Sequence, residues 1–306
     1  MGTSSDRPTR TDRPGPVAGL GTRTLKALDA LAGARQLDPV VEPLQRVVRS
    51  LPLGRLRDVL HGRPLGHPLH PALVQLPVGA WLSSAVLDRV PGCERPARVL
   101  VAVGVATAGP AALAGWVDWA EQPQQQLRTG VVHAASMVAA LGLYGTSWAV
   151  RARGGARLGR GLGLAGLAVL GVGAALGGHL AYRQGAGANK SEPVPHLVEP
   201  GWHDLGRADG FPLGEAVRRT VGEVPVLVVR EADEVFRVLA DRCSHFSGPL
   251  SEGEIADGCV TCPWHGSVFR LADGWNVGGP ATAPQPCFAT RVDADGTLQA
   301  CLPDAG

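Results

Sequence analysis

The sequence predicts a multidomain chain, an α-helical four-helix transmembrane bundle followed by an all-β antiparallel domain. Two patterns predict this class. Four long runs without a charged side chain follow one another between residues 64 and 183, and short stretches of alternating apolar and polar residues lie beyond residue 196. The length of 306 residues accommodates two domains. With 45% hydrophobic and only 18% charged residues, the composition excludes a disordered chain.

Charge is divided unevenly along the chain. Residues 1–70 hold 11 basic and 6 acidic side chains, whereas residues 184–306 hold 9 basic and 17 acidic side chains, a net charge of −8. An acidic domain repels nucleic acid and favours a partner with a basic surface. We therefore expect a redox partner protein with a basic docking surface and no nucleic-acid binding.

Residues 1–62 form a basic N-terminal arm in which apolar residues alternate with arginine. Leu25, Leu28 and Leu31 fall at helical spacing, and prolines interrupt the pattern. Two interpretations stay open for this arm. It forms short amphipathic helices that lie on a membrane surface, or it is poorly ordered.

Four uncharged runs predict four membrane crossings within residues 63–184. About 20 apolar residues in a helix cross the hydrocarbon layer, so each run is long enough for a multi-pass cell-membrane protein in contact with lipid. Four crossings place both chain ends on one side, and the basic arm favours the cytoplasmic side for the C-terminal domain. Residues 185–195 follow as a linker. The runs are Pro64–Leu87, Val99–Val117, Thr129–Val150 and Gly161–Tyr182, of 24, 19, 22 and 22 residues.

Two segments at the ends of these runs resemble a known family. Residues 65–74 read LGHPLHPALV, and residues 177–183 read GGHLAYR. They are similar to a family of bacterial four-helix membrane domains of unknown function, which is marked by a His-Pro-x-His-Pro entry. The resemblance covers roughly residues 60–190 and implies no activity.

Five polar residues are expected on one face of the bundle, because odd-numbered runs begin there and even-numbered runs end there. The same face carries the C-terminal domain. Three interpretations stay open: caps that bond to backbone at the interface, a haem b or metal site with His133 and His179 as the simplest ligands, or a quinone pocket. The five residues are His67, His70, Asp118, His133 and His179.

The C-terminal domain contains two mixed pairs of cysteine and histidine. Cys243 and His245 form a C-x-H pair, and after 16 intervening residues Cys262 and His265 form a C-x-x-H pair. Two thiolates on one iron and two imidazoles on the other are the ligands of a Rieske [2Fe–2S] cluster, of which we expect one per subunit. A structural zinc site stays open as the alternative, because Cys259 and Cys262 also form a C-x-x-C pair.

Residues 196–306 resemble the Rieske iron–sulfur fold, a small antiparallel β domain. Residues 262–269 resemble its second cluster loop, and residues 279–284 resemble the proline loop that covers the cluster. The resemblance implies the four ligands named above. It also implies three residues packed around the cluster, Trp264, Ser267 and Pro280.

The chain departs from the Rieske proteins of respiratory complexes. Gly248 and Trp264 stand where those proteins carry two extra cysteines, so the disulfide between the cluster loops cannot form. Phe269 stands where they carry a tyrosine, and fewer hydrogen bonds to sulfur imply a lower reduction potential. The pattern is closer to Rieske ferredoxins and to the Rieske domains of ring-hydroxylating oxygenases.

These features predict an electron-transfer protein. The 41 residues after His265 contain no histidine, so we expect no mononuclear iron site and no terminal oxygenase activity in this chain. The expected function is that of a membrane-anchored oxidoreductase component, which carries single electrons between a redox partner and an acceptor without a substrate-converting site of its own. A haem or quinone in the bundle could take part. The alternative is a redox-sensing or interaction protein whose cluster is not a carrier.

Overall fold

The computed structural model describes residues 16–233 and 235–303. A helical part comes first in the chain and an antiparallel β part follows, which confirms the predicted fold class. The helices are α1 (Pro16–Ala32), α2 (Asp38–Ser50), α3 (Arg55–Leu60), α4 (His70–Leu73), α5 (Gln75–Leu87), α6 (Glu94–Ala120), α7 (Gln124–Ala152), α8 (Ala156–Gly178) and α9 (Val194–Leu197).

The described part of the N-terminal arm is helical and packs on the bundle. Val41 and Val48 of α2 are buried against Trp119 and Leu127, at the ends of α6 and α7. One apolar side of α2 is therefore covered by protein, whereas Val40 and Val47 on another side are more than half exposed. Residues 1–15 of the predicted arm lie outside the described residues.

Three helices are long and apolar enough to cross a membrane within the described residues: Glu94–Ala120, Gln124–Ala152 and Ala156–Arg183. The first predicted run is instead divided into α4 and α5. Pro77 has no N–H to bond the carbonyl of Leu73, four residues earlier, and the helix breaks there. The 13 residues of α5 rise only about 20 Å, less than the ~30 Å hydrocarbon layer. The predicted count of four crossings is therefore approximate.

The helical part contains an internal repeat. The segment α4–α6 corresponds to α7–α8, with equivalent positions 63 residues apart in the first helix and 62 apart in the second. Ser84 donates a hydrogen bond to the carbonyl of Ala97 at 3.0 Å, and the equivalent Ser147 donates to the carbonyl of Gly159 at 2.6 Å. The two hairpins thus pack in the same way.

Equivalent side chains of the two hairpins meet each other along the helices. The rings of Trp81 and Tyr144 stack with centroids 4.1 Å apart. At one end of these helices, Asp88 accepts two hydrogen bonds from Arg151 at 2.5 and 2.6 Å. A surface that contacts its own equivalent implies a twofold axis, here an approximate one between the hairpins.

The β part consists of two antiparallel sheets. One has the strand order β1-β10-β9-β4-β3-β2, and the other has the order β5-β6-β7-β8. The strands are β1 (His203–Arg207), β2 (Ala216–Val221), β3 (Val224–Ala232), β4 (Val235–Ala240), β5 (Glu254–Ala256), β6 (Cys259–Thr261), β7 (Val268–Arg270), β8 (Asn276–Gly278), β9 (Cys287–Val292) and β10 (Thr297–Cys301).

Strand β3 is buried on both faces and separates two cores. Val226 and Val228 belong to the core of the six-stranded sheet, whereas the alternate residues Leu227 and Val229 face a second core. This second core includes Phe269 of the small sheet and the side chains of the two predicted thiolate ligands. It therefore anchors the cluster loops.

We predict that the Asp88–Arg151 pair stabilises the helical part through its position in the repeat. Asp88→Ala leaves the buried guanidinium of Arg151 without a carboxylate, and loss of one partner of a buried pair costs about 3 kcal/mol of unfolding free energy. The exchanged pair, Asp88→Arg with Arg151→Asp, should recover most of this loss because the two positions are equivalent. Denaturant unfolding in detergent, followed by circular dichroism, measures both effects.

Arg153→Ala is the matched control, since Arg153 is exposed and bonds only to a carbonyl one turn earlier. An exchanged pair no more stable than Asp88→Ala alone would contradict the equivalence of the two hairpins.

Candidate metal centre

Two similar turns hold the four predicted ligands. In the first, the N–H of Ser247 donates to the carbonyl of Cys243 at 2.7 Å. In the second, the N–H of Gly266 donates to the carbonyl of Cys262 at 3.1 Å. The residue four positions after each cysteine has a left-handed backbone, with φ of 61° at Ser247 and 69° at Gly266. The two turns therefore have a similar backbone after the cysteine, although the histidine stands two residues after Cys243 and three residues after Cys262.

The two cysteine side chains are buried and in contact. Cys243 is 1% exposed and Cys262 is 3% exposed. A hydrogen bond from the Cys243 thiol, assisted by the backbone N–H groups of Trp264 and His265, lowers the pKa of Cys262 to about 6. The same contact and burial raise the pKa of Cys243. One of the two sulfurs is thus poised to ionise, and the second requires a cation.

The two histidine rings lie side by side. Their centroids are 5.1 Å apart and their planes are nearly perpendicular. Burial lowers the pKa of His245 to about 3, assisted by the nearby charges of His265, His61 and Lys190. Burial also lowers the pKa of His265. Both rings are therefore neutral at physiological pH, which is the form that binds a metal.

Two further observations test whether the site fits a [2Fe–2S] cluster. The Nδ1 atom of His245 is buried, and none of the described residues provides it with a hydrogen-bond partner. At Gly248, a Cβ would lie only 2.8 Å from the sulfur of Cys262, so the space beside the sulfurs requires glycine. A free imidazole nitrogen and a backbone without a side chain beside the Cys262 sulfur suit the cluster.

The alternative zinc site would need its ligands around one ion, whereas a [2Fe–2S] cluster takes them in two pairs. Zinc requires three or four ligands around one ion, and within residues 16–233 and 235–303 no three His, Cys, Asp or Glu side chains form such a group. Cys259 lies in β6, where it pairs with Ala256 and Arg270 in the neighbouring strands. A pair of sulfurs and a pair of imidazoles is what two irons need.

The residues expected around the cluster differ in their surroundings. Ser267 is fully buried, and its oxygen accepts a hydrogen bond from the N–H of Ala281 at 3.1 Å, which leaves the hydroxyl hydrogen to donate. Pro280 is buried in the same loop. Trp264 is 57% exposed, with its ring against Gly248. Ser267 and Pro280 are thus buried in the loops, whereas Trp264 is largely exposed beside Gly248.

Gln285 is a site residue that the sequence did not reveal. Its side chain is 2% exposed, and its amide nitrogen donates to the carbonyls of Ala240 and Arg242 at 2.7 and 2.5 Å. Its oxygen accepts the N–H of Ser244 at 3.0 Å. Gln285 therefore ties the proline loop to the first cluster loop. A single glutamine among prolines carries no periodic signal.

His61 is a second residue that the sequence did not reveal. It is 2% exposed, and its Nδ1 lies 2.9 Å from a carboxylate oxygen of Asp118 in α6. The N–H of Lys190 donates to the carbonyl of Ser244 in the first cluster loop at 2.8 Å. Arg63, two residues after His61, donates to the carbonyl of Val277 in β8, so this end of the helical part lies beside the β part.

The five polar residues predicted on one face of the bundle are divided among several contacts. The structure brings His133 next to His70, with ring centroids 6.4 Å apart. His179, the other expected ligand, instead lies 3.5 Å from the carboxylate of Asp29 in α1. His67 is exposed and bonds to the neighbouring Pro68 carbonyl at 3.0 Å. The expected pairing of His133 with His179 is therefore not the one that the fold favours, since helix rotation turns His179 towards the arm.

Comparison with protein families divides the chain in two. Residues 201–289 match the Rieske [2Fe-2S] domain, and residues 66–190 match a predicted membrane protein family, DUF2231. The two matched segments do not overlap, and the first contains all four residues of the mixed cysteine–histidine pairs.

Two curated relatives each match about a third of the chain. The ferredoxin subunit of anthranilate 1,2-dioxygenase from Burkholderia cepacia is 38% identical over 98 residues, which are 32% of this chain and 89% of the relative. The ferredoxin subunit of 3-phenylpropionate/cinnamic acid dioxygenase from Escherichia coli K12 is 35% identical over 95 residues, 31% of this chain and 87% of the relative. A solved complex of reduced oxygenase and oxidized ferredoxin in carbazole 1,9a-dioxygenase matches 33% of this chain and 92% of its own, with 30% identity and a TM-score of 0.31.

We predict that Gly248→Ala lowers cluster content. Its Cβ would lie 2.8 Å from the Cys262 sulfur and displace it from the cluster. Iron and labile sulfide per chain, together with the EPR signal of the reduced protein, should fall at least twofold. Gly210→Ala is the control, because a Cβ there meets no described atom within 4 Å. Full cluster content in the Gly248→Ala protein would contradict the placement of the cluster between these loops.

We also predict that Phe269→Tyr raises the reduction potential of the cluster. The parent value should lie in the lower part of the range of roughly −150 to +300 mV, because the tyrosine donor is missing. Phe269 is fully buried in the core that contains both cysteines. A hydrogen bond to a charged acceptor is worth about 1.5 kcal/mol, which corresponds to about 60 mV for one electron. Protein-film voltammetry measures the shift.

Phe269→Leu is the control, since it changes the ring without adding a donor. An unchanged potential in a Phe269→Tyr protein with full cluster content would refute this account of the low potential.

Proposed function

Since the chain belongs to the Rieske [2Fe–2S] family through residues 201–289 and to the DUF2231 predicted membrane proteins through residues 66–190, we propose that it is a membrane-anchored carrier of single electrons. The Rieske domain is homologous to ferredoxin subunits of dioxygenases, which supports electron transfer. The observation that carries the proposal is the pairing of two buried sulfurs with two neutral imidazoles in one pair of loops.

The proposed ligands are Cys243, His245, Cys262 and His265. A [2Fe–2S] cluster supplies one-electron oxidation and reduction when it is bound there. The two cysteines, which are almost fully buried, hold their side of the site in the domain core. The two histidines are half-buried and therefore form the side nearer the surface, where a partner can approach.

Neighbouring residues of the chain set the environment of that exchange. The hydroxyl of Ser267 is free to donate to a sulfur, which stabilises the added negative charge of reduction. Pro280 and Trp264 exclude water from the two sides of the loops. Gln285 keeps the first cluster loop in place through hydrogen bonds to Ala240 and Arg242, so the ligands need little rearrangement when the charge changes.

We propose that the helical part anchors the domain in lipid. The division is an arm at residues 1–62, a membrane domain at residues 63–184, a linker at residues 185–195 and the Rieske domain at residues 196–306. Large apolar side chains on the outer faces of the long helices support this anchoring. The basic arm favours the cytoplasmic side for the Rieske domain. The exposed side chains include Val99, Val103, Val138, Trp148, Leu164 and Val172.

The proposed partner is a redox protein with a basic docking surface. The net charge of −8 over residues 184–306 favours such a surface. Because its relatives are subunits of dioxygenase systems, the partner would be an electron donor or acceptor protein of that general kind. A haem b or a quinone held by the bundle would extend the electron path into the membrane.

The proposed function is tested on the full-length protein in detergent by stopped-flow oxidation of the reduced cluster. We predict a rapid, reversible one-electron reaction. Its rate with a cationic cobalt(III) complex should fall several-fold between low and physiological salt, because ions screen charges over ~8 Å at physiological ionic strength. With anionic ferricyanide as the control, the rate should rise over the same interval.

A cluster that cannot be reduced and reoxidised reversibly would contradict the carrier function. Equal salt dependence with both oxidants would contradict the acidic docking surface and leave electron transfer itself in place.

A further inference from the structure

The internal repeat places two identical side chains next to each other. His70 in α4 and His133 in α7 occupy equivalent positions, and their ring centroids are 6.4 Å apart. Elsewhere the equivalent side chains that meet are different and complementary, such as Trp81 with Tyr144. The histidine pair is the exception, because two identical rings meet near the approximate axis.

Both rings are held in the same tautomer by the same kind of bond. The Nδ1 of His70 lies 2.8 Å from the carbonyl of Ala111 in α6. The Nδ1 of His133 lies 2.8 Å from the carbonyl of Gly173 in α8. A carbonyl can only accept, so each Nδ1 carries the hydrogen and each Nε2 carries a lone pair. Bonding of one ring nitrogen to a carbonyl is the arrangement that orients metal-binding histidines.

Two glycines provide the space for these rings. At Gly115 a Cβ would lie 2.8 Å from the Nδ1 of His70, and at Gly177 a Cβ would lie 3.3 Å from Cε1 of His133. The glycines are equivalent in the repeat, four residues after the two carbonyls that fix the rings. In each hairpin, a carbonyl and a glycine of the second helix thus position the imidazole ring that the first helix contributes.

The pair cannot satisfy itself by hydrogen bonding. Two neutral rings that both carry hydrogen on Nδ1 have only acceptors at Nε2, so they cannot bond to each other, and each Nε2 needs water, a donor or a cation. A metal ion suits this need, because two metal–nitrogen bonds of about 2.0–2.1 Å account for about 4 Å of the 6.4 Å separation, and the two rings account for the rest.

The histidine pair also lies on the side of the bundle that faces the Rieske domain. Gly115, which contacts His70, is followed one turn later in α6 by Asp118. Asp118 bonds to His61, and Arg63, two residues further along the chain, donates to the carbonyl of Val277 in the β part. A series of contacts therefore leads from the histidine pair to the β part of the same chain.

We propose that His70 and His133 form a bis-imidazole site for a transition metal, bound through the two Nε2 atoms. The metal is either the iron of a haem b or a free ion such as copper, and imidazole suits both. The site lies in the membrane domain, apart from the four cluster ligands. The proposed role of this metal is to give the cluster a neighbouring redox centre. This role rests on the proposed electron-carrier function, whereas the site itself does not.

The test uses full-length protein produced with ample haem precursor and copper and purified in mild detergent. Haem is measured from the Soret band and the pyridine haemochrome, and other metals are measured by mass spectrometry relative to cluster iron. We expect one equivalent of haem or of copper per cluster. A Soret band identifies haem, whereas copper without a Soret band identifies the free ion.

Four variants test which histidines bind the haem or the copper. His70→Ala and His133→Ala should each reduce the haem or copper content below a tenth of the parent value. His67→Ala is the matched control in the same entry segment and should have no effect, and neither should His179→Ala, because that side chain lies against Asp29. Denaturant unfolding followed by circular dichroism reports folding of the helical part, and the EPR signal of the cluster reports folding of the Rieske domain. If an alanine variant does not fold, Gly115→Ala displaces the His70 ring without removing it.

The parent protein is also titrated with hemin and with copper salts, so that incomplete loading in cells does not decide the result. Absence of saturable binding of either probe to protein with full cluster content would overturn the proposal, and so would binding that survives both alanine variants. Reversible reduction of the cluster is recorded on the same samples. Failure of the histidine site can thus be distinguished from failure of the electron-carrier function.

Discussion

The contact between the two buried sulfurs of Cys243 and Cys262 is the constraint on which the Rieske domain depends. Two thiolates in contact, almost without solvent, cannot both be charged unless a cation neutralises them. Cluster binding therefore releases protons and joins two loops that are distant in sequence. The flanking structure serves this contact. β3 separates the cluster core from the main core, Gly248 leaves room beside the sulfur, and Gln285 holds one loop against the other.

Much of the β part could be predicted from the sequence because its signals are local. Mixed Cys–His pairs occupy a few adjacent residues, and alternation along β3 and β4 is visible residue by residue. Gln285 carried no such signal. Its importance comes from carbonyls of residues more than 40 positions away, which only the fold brings to its amide.

The helical part was less predictable, for two physical reasons. Counting uncharged residues measures the length of a run but not its continuity, so the break caused by Pro77 was missed. The direction of the runs predicted that five polar residues share one face of the bundle. It could not tell which would meet, because that depends on helix rotation, and rotation is set by close approaches such as Gly115 to His70. The repeat itself was hidden, since its matched positions are mostly small residues.

The pairing of Asp88 with Arg151 has a consequence for assembly. Two hairpins built to the same plan could equally well associate with identical copies of themselves in neighbouring chains, and the membrane would then contain mixed aggregates. Identical copies would bring carboxylate against carboxylate or guanidinium against guanidinium in a largely buried position. Only a pair made of one hairpin with Asp88 and one hairpin with Arg151 is electrically neutral at this contact. The complementary charges of the two side chains thus select the partner hairpin within the same polypeptide.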